Sequence, residues 1–196
     1  TWNSERWYGF PVKPFETDFI PRDDAAAARA MIGPDVAAVI VEPVQGVAGA
    51  FDLAPEFMTA LREATARHGA LLIADEVQSG MGRSGEFFAM QSHGIEPDIL
   101  TSAKSLGGGV PCAAVLSRAD VAGQFGPGDL GTTFGGGPIA AAAITATAPA
   151  TQRAAMPTPW LNRPSPVRTP STAAVAAFWA SIQARVSGLS WSSSQR

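Results

Sequence analysis

"PEFMTALREATARHGALLIAD", residues 55–75, reads in one sweep as a helix, a stop, a strand and a carboxylate. Pro55 suits a first helical turn, where its missing N–H leaves no gap in the hydrogen bonding. Phe57, Met58, Leu61 and Ala64 recur at helical spacing and define one apolar face, and Gly69 supplies the residue that ends the helix in a left-handed conformation. "ALLIAD" (70–75) then runs apolar without alternation, as strands of a parallel sheet do when both faces are covered, and it delivers Asp75 at its end.

The flanking stretches extend the same rhythm. "DDAAAARAMI" (23–32) has helical composition with acids placed for its first turn, and "VAAVIVE" (36–42) reads as a second fully buried strand. "DILTSA" (98–103) and "AAVLS" (113–117) supply a third and a fourth. Strands alternating with helices predict an α/β fold, its mostly parallel sheet covered on both faces. There is no internal repeat.

In such sheets ligands collect beyond the carboxyl ends of the strands. That rule selects Asp75, Gln78 one turn later, and Lys104 at the end of the next strand, one of only two lysines in the chain. A lysine amine desolvated in a cleft is available in neutral form to attack a carbonyl, which is Schiff-base chemistry. Spacing alone leaves two plainer readings open: a buried Asp75–Lys104 ion pair, or two unrelated charges at loop starts.

Four ordered stretches narrow the choice: "VAAVIVEPVQG" (36–46), "LLIADEVQSGMGRSG" (71–85), "EPDILTSAKSLGGGVP" (96–111) and "GTTFGGGP" (131–138). In order and spacing they resemble the class III aminotransferases that use pyridoxal phosphate, a group that includes acetylornithine, ornithine and 4-aminobutyrate aminotransferases. The resemblance runs from about residue 8 to 147 and implies part of the large domain of the three-layer fold type I. It implies that Lys104 holds pyridoxal phosphate as a Schiff base and shuttles the proton during transfer of an amino group from an amino acid or amine to a 2-oxo acid. Asp75 matches the aspartate that keeps the pyridine nitrogen protonated, so that the ring serves as an electron sink. Gln78 matches the side chain near the cofactor's phenolic oxygen, and Val77 would pack on the ring. Thr133 matches the threonine that reaches the cofactor phosphate in the neighbouring subunit, which implies a homodimer. Glu42 matches a glutamate on the substrate side of the pocket, where it can pair with a substrate-binding arginine; its plain alternative is to close a strand end.

The chain also departs from the pattern. Val47 and Ala48 stand where acetylornithine-like members usually carry Glu-Gly, and Gly137 stands where "GGN" is usual. The family's phosphate loop, its ring-stacking aromatic residue and its substrate-carboxylate arginine have no match, so the expectation is a fragment, inactive alone. An aminomutase or racemase of the same family, and a non-catalytic truncated remnant, are the alternatives.

Other residues draw plain readings. Glu76 and Arg83 are expected to order loops, Cys112 to be a small buried residue, and glycines 107–109 to let the backbone turn after Lys104. His68 and His93 show no metal-ligand spacing. A net charge of -3 offers no basic patch for nucleic acid or anionic lipid, one cysteine allows no internal disulfide, and no stretch reaches bilayer-spanning length. The expected home is the cytoplasm, with neither nucleic acid nor membrane as partner. Residues 1–147 hold 17 acidic and 9 basic residues, whereas 148–196 hold no acid, five arginines and, between Pro149 and Pro170, six prolines. That shift divides the chain into a partial cofactor-binding domain (1–147) and a disordered or irregular Pro/Ser/Ala-rich tail (148–196), either a linker or an out-of-frame translation.

Overall fold

A computed structural model of the chain describes residues 16–126, 128–133 and 135–154. The expected tail lies almost wholly outside them.

Helix α1 (Ala25–Met31) is followed by strand β1 (Ala38–Val41), a two-stranded antiparallel hairpin β2 (Val44–Gln45) and β3 (Phe51–Asp52), and helix α2 (Pro55–His68). Strand β4 (Leu71–Asp75), strand β5 (Ile99–Ser102), strand β6 (Ala114–Ser117), the short helix α3 (Ala119–Ala122) and helix α4 (Pro138–Ala154) complete the order. Single 3-10 turns cover Ala89–His93 and Lys104–Gly107. The main sheet has the order β1-β4-β5-β6, with β1, β4 and β5 parallel and β6 antiparallel to β5. Helix α4 spans the compositional boundary at 147/148 and carries Pro149 inside it.

Helix α2 forms where the sequence places it: Pro55 opens its first turn, and Gly69 closes it at φ 74° with its N–H on the Thr65 carbonyl. Phe57, Met58, Leu61 and Ala64 are all buried. They pack with Ile32 from the end of α1, Val41 from β1, Leu72 and Ala74 from β4, and Leu100 from β5 into one core. The acids expected in the first turn of α1 lie ahead of it. Asp24 is the N-cap and accepts the Ala27 N–H at 2.8 Å, while Asp23, at φ 59°, accepts the Ala54 N–H at 2.8 Å and ties the head of α2 to α1. Short carboxylates satisfy open amide groups best from just outside a helix, which is why neither joins the turn.

An ion-pair cluster around the buried Asp98 fastens the sheet to α2. Asp98, 2% exposed, accepts hydrogen bonds from the Leu72 N–H at 2.7 Å, Arg62 at 3.0 Å and Arg118 at 2.7 Å. Burial pushes its carboxyl up, but the amide and the two guanidinium groups outweigh that and hold it below its ordinary value of 3.8.

The two sheet faces differ among the described residues. Leu72, Ala74, Leu100 and Ser102 point toward the helices and are buried. On the opposite face, Ile40 is 47% and Val115 71% exposed, and Ile73, Ile99, Asp75 and Thr101 between them are half-buried. β1 is consequently not the fully buried strand its composition predicts, because it forms an outer strand of the sheet among the described residues and presents alternate residues to the open side. Cys112 is half-buried, since "PCA" lies at the rim where β6 begins.

Candidate active site

The carboxyl ends of β4 and β5 lie side by side, because Asp75 and Thr101 are register partners in parallel strands. Asp75 Oδ1 accepts the Thr101 hydroxyl at 3.3 Å and the Val77 N–H at 3.1 Å. The second bond closes a tight turn that takes the chain off the sheet and carries Gln78 across toward the end of β5. There the Lys104 ammonium donates to Gln78 Oε1 at 2.9 Å. Asp75, Val77, Gln78 and Lys104 thus gather at one edge, linked through Thr101 and Gln78. No Asp75–Lys104 ion pair forms among the described residues, so the plain ion-pair reading falls away.

Lys104 itself is unusual. Its φ is 50°, in the left-handed region that costs an L residue roughly 1–2 kcal/mol. A lysine held there is fixed by its surroundings. Ser105, the next residue, accepts the Arg83 guanidinium at 2.7 Å. Gly108, at φ 60°, ends the 3-10 turn, and a Cβ there would lie 2.9 Å from Thr147 Oγ1 of α4. A Cβ on Gly107 would lie 2.5 Å from Cys112 Sγ. The glycines after Lys104 therefore serve close approach as well as turning. Lys104 is exposed, not desolvated as expected, in the turn just past the end of β5.

Glu76 anchors the loop that carries Val77, Gln78 and Arg83. Its carboxylate is fully buried and accepts Ser79 Oγ at 2.6 Å, the Ala89 N–H at 3.0 Å and the Met90 N–H at 2.8 Å. Its own N–H donates to the Thr101 carbonyl at 2.9 Å. Burial pushes its pKa above 4.5, the three donors offset this in part, and the neighbouring Asp75 adds to the rise. Glu76 and Arg83 thus order loops, as expected.

The remaining residues fall at different distances from this cluster. Glu42 Oε2 accepts the Gly46 N–H at 3.4 Å, so it folds back on its own "EPVQG" segment. Thr133 is exposed in the loop before α4, and no described contact joins it to Lys104. Among the described residues no group of His, Cys, Asp and Glu gathers to hold a metal ion. Sequence reasoning missed the Thr101 partner of Asp75 and the Arg83–Ser105 bond. Alternation in "DILTSA" does place Thr101 on the same face as Ile99; the arginine contact leaves no local signal.

The sequence model of the class-III aminotransferases matches residues 16–160. The chain belongs to that family. It is 51% identical over 149 residues to the acetylornithine aminotransferase of Methanopyrus kandleri, an alignment covering 74% of this chain and 38% of that protein. It is 45% identical over 138 residues to the acetylornithine/succinyldiaminopimelate aminotransferase of Yersinia pestis, covering 70% and 34%. The chain therefore spans little more than a third of the curated relatives it matches. Among solved structures it superposes, with TM-score 0.66 and 37% identity, on a Toxoplasma gondii ornithine aminotransferase that has pyridoxal phosphate at partial occupancy in its active site, covering 74% of this chain and 34% of that one. The acetylornithine aminotransferase of Elizabethkingia anophelis superposes with TM-score 0.63 and 37% identity, covering 69% and 36%. The fold is accordingly the α/β fold of these aminotransferases, with a mostly parallel sheet.

Proposed function

We propose that this chain forms the lysine-bearing part of a pyridoxal-phosphate aminotransferase, and that Lys104 is the amine through which the cofactor is held. The observation that carries the reading is the left-handed Lys104, hydrogen-bonded to Gln78 at the edge where Asp75 emerges. The group fits the residues present: a primary amine, a carboxylate with one oxygen already oriented by Thr101 and Val77, and an amide between them match an aldehyde, a ring nitrogen and a ring hydroxyl. When bound, pyridoxal phosphate supplies a reactive aldehyde and an electron-withdrawing ring.

This chain's own residues would hold and orient. Lys104 Nζ would be the nucleophile that holds the cofactor's aldehyde and the base that moves a proton at the substrate carbon. Asp75, kept in place by the Thr101 hydroxyl, would pair with the ring nitrogen and keep that nitrogen protonated. Gln78 keeps the amine aimed until the carbonyl arrives. Val77 flanks the ring, and Glu42 lies toward the substrate. Thr133, exposed in the loop before α4, would reach the cofactor phosphate of a second copy of the chain in a homodimer.

The reaction is amino-group transfer from an amino acid or amine of the acetylornithine or ornithine kind to a 2-oxo acid, with glutamate and 2-oxoglutarate as the second pair. The names of the relatives support the donor class, while Val47 and Ala48 leave its end group open. Charge composition and a single half-buried cysteine support a cytoplasmic setting; no helix among the described residues is long and apolar enough to cross a membrane. The acids stop near 147/148, but α4 runs through that point and the class-III match continues to residue 160. Because the chain spans little more than a third of its relatives, it should turn over little or no substrate unaided.

Reduction with borohydride after incubation with pyridoxal phosphate, followed by peptide mass mapping, tests the assignment. The expected mark lies on Lys104 and not on Lys13. Equal marking of the two lysines would overturn it.

A further inference from the structure

Gly46, the last residue of "EPVQG", has no assigned part in the chemistry, yet it lies directly against the Gln78 side chain. A Cβ built on Gly46 would overlap Nε2 and Cδ of Gln78 and lie 2.9 Å from its Oε1. The backbone does not need a glycine there. Gly46 is absent from the residues with positive φ, whereas Gly49 in the same turn has φ 126°. What matters at residue 46 is the missing side chain.

Nor can the backbone move away cheaply. The Gly46 N–H donates to Glu42 Oε2 at 3.4 Å, and its carbonyl accepts the N–H groups of Gly49 at 3.2 Å and Ala50 at 3.1 Å. Gln78, by contrast, is a flexible side chain. It is aimed by the Lys104 ammonium at 2.9 Å on one side and by the Gly46 wall on the other. If the wall grows by one methyl group, the amide is the part that gives.

We infer that Gly46 is a positioning residue for Lys104: its bare backbone seats the Gln78 amide, which in turn holds the amine. The inference rests on the reading of Lys104 as the reacting amine and deepens it. It also gives "EPVQG" a purpose at the lysine end of the site, independent of Glu42 acting on a substrate.

The test measures reductive methylation of Lys104 by mass spectrometry in the absence of pyridoxal phosphate, with Lys13 as internal reference, so that failure of cofactor binding and failure of this inference remain distinguishable. Freed from its hydrogen bond to Gln78, the amine should be labelled about threefold faster, as the loss of one net hydrogen bond implies. Gly46→Ala and Gln78→Ala should each show this acceleration, and Gly46→Ala added to Gln78→Ala should produce no more. Thermal melting adds a second reading: because Gln78→Ala removes the atoms in conflict, the double variant should recover stability lost in Gly46→Ala. Unchanged labelling in Gly46→Ala would overturn the inference, as would further acceleration in the double variant. A Gly46→Ala chain that loses stability and does not regain it in the double variant would do the same.

Discussion

The two faces of one four-stranded sheet contrast sharply. The face toward α1 and α2 is closed: Leu72 and Ala74 are fully buried beneath Met58 and Leu61, and Asp98 and Glu76 saturate their carboxylates with buried donors. The other face carries the half-buried Asp75 and Thr101 together with the exposed Ile40 and Val115. Stability is concentrated on one side, and the proposed cofactor-binding carboxylate emerges on the other. Strand alternation enforces the division, since successive residues of β4 and β5 serve opposite faces. Ala74 packs, and Asp75 reaches out.

Substitutions can break or sharpen this contrast. The largest loss is expected from Leu72→Ala on the closed face, about 3 kcal/mol in urea unfolding, because neither neighbouring strand can collapse into the cavity. A loss below about 1 kcal/mol would mean that the closed face is loosely packed. Glu76→Ala should cost about 2 kcal/mol, since the Ala89 and Met90 N–H groups lose their acceptor in a buried setting. Glu76→Gln should recover part of it through its carbonyl oxygen.

Acid titration separates these two carboxylates. Asp98 is held below 3.8 when folded, so its contribution is present above that pH and fades as the pH drops further. Asp98→Asn should therefore flatten the acid limb of a urea-midpoint profile; an unchanged limb would place the acid sensitivity elsewhere. Glu76 has the opposite sign. Its folded pKa lies above 4.5, so it subtracts stability as the pH climbs past 4.5. The smallest effect belongs to the open face, where Val115→Thr should stay within about 0.5 kcal/mol, because the side chain is 71% exposed.

Much of this was legible in the sequence where a local rule applied. Pro55, the apolar face and Gly69 fixed α2 because each acts within one or two turns. Asp75 and Lys104 were legible as candidates for the carboxyl edge of the sheet because one ends an apolar strand and the other follows one closely. Strand position and direction were not. "VAAVIVE" has the same composition whether it lies inside a sheet or at its margin, and nothing in "AAVLS" marks β6 as antiparallel. The acids before α1 were misplaced by one or two residues because capping and first-turn positions favour the same residues. Gly46 against Gln78, and Arg83 on Ser105, join segments far apart in the chain and leave no periodic trace.

The central claim is that the Lys104 amine and the Asp75 carboxylate serve one bound ring. A titration of the chain with pyridoxal phosphate, followed by absorption near the visible edge, measures it in a single experiment with three proteins. The account predicts a saturable band in the native sequence, no band in Lys104→Ala, and in Asp75→Ala a weaker band altered in its pH dependence. A band of native strength in Lys104→Ala, or one indifferent to the loss of Asp75, would contradict it.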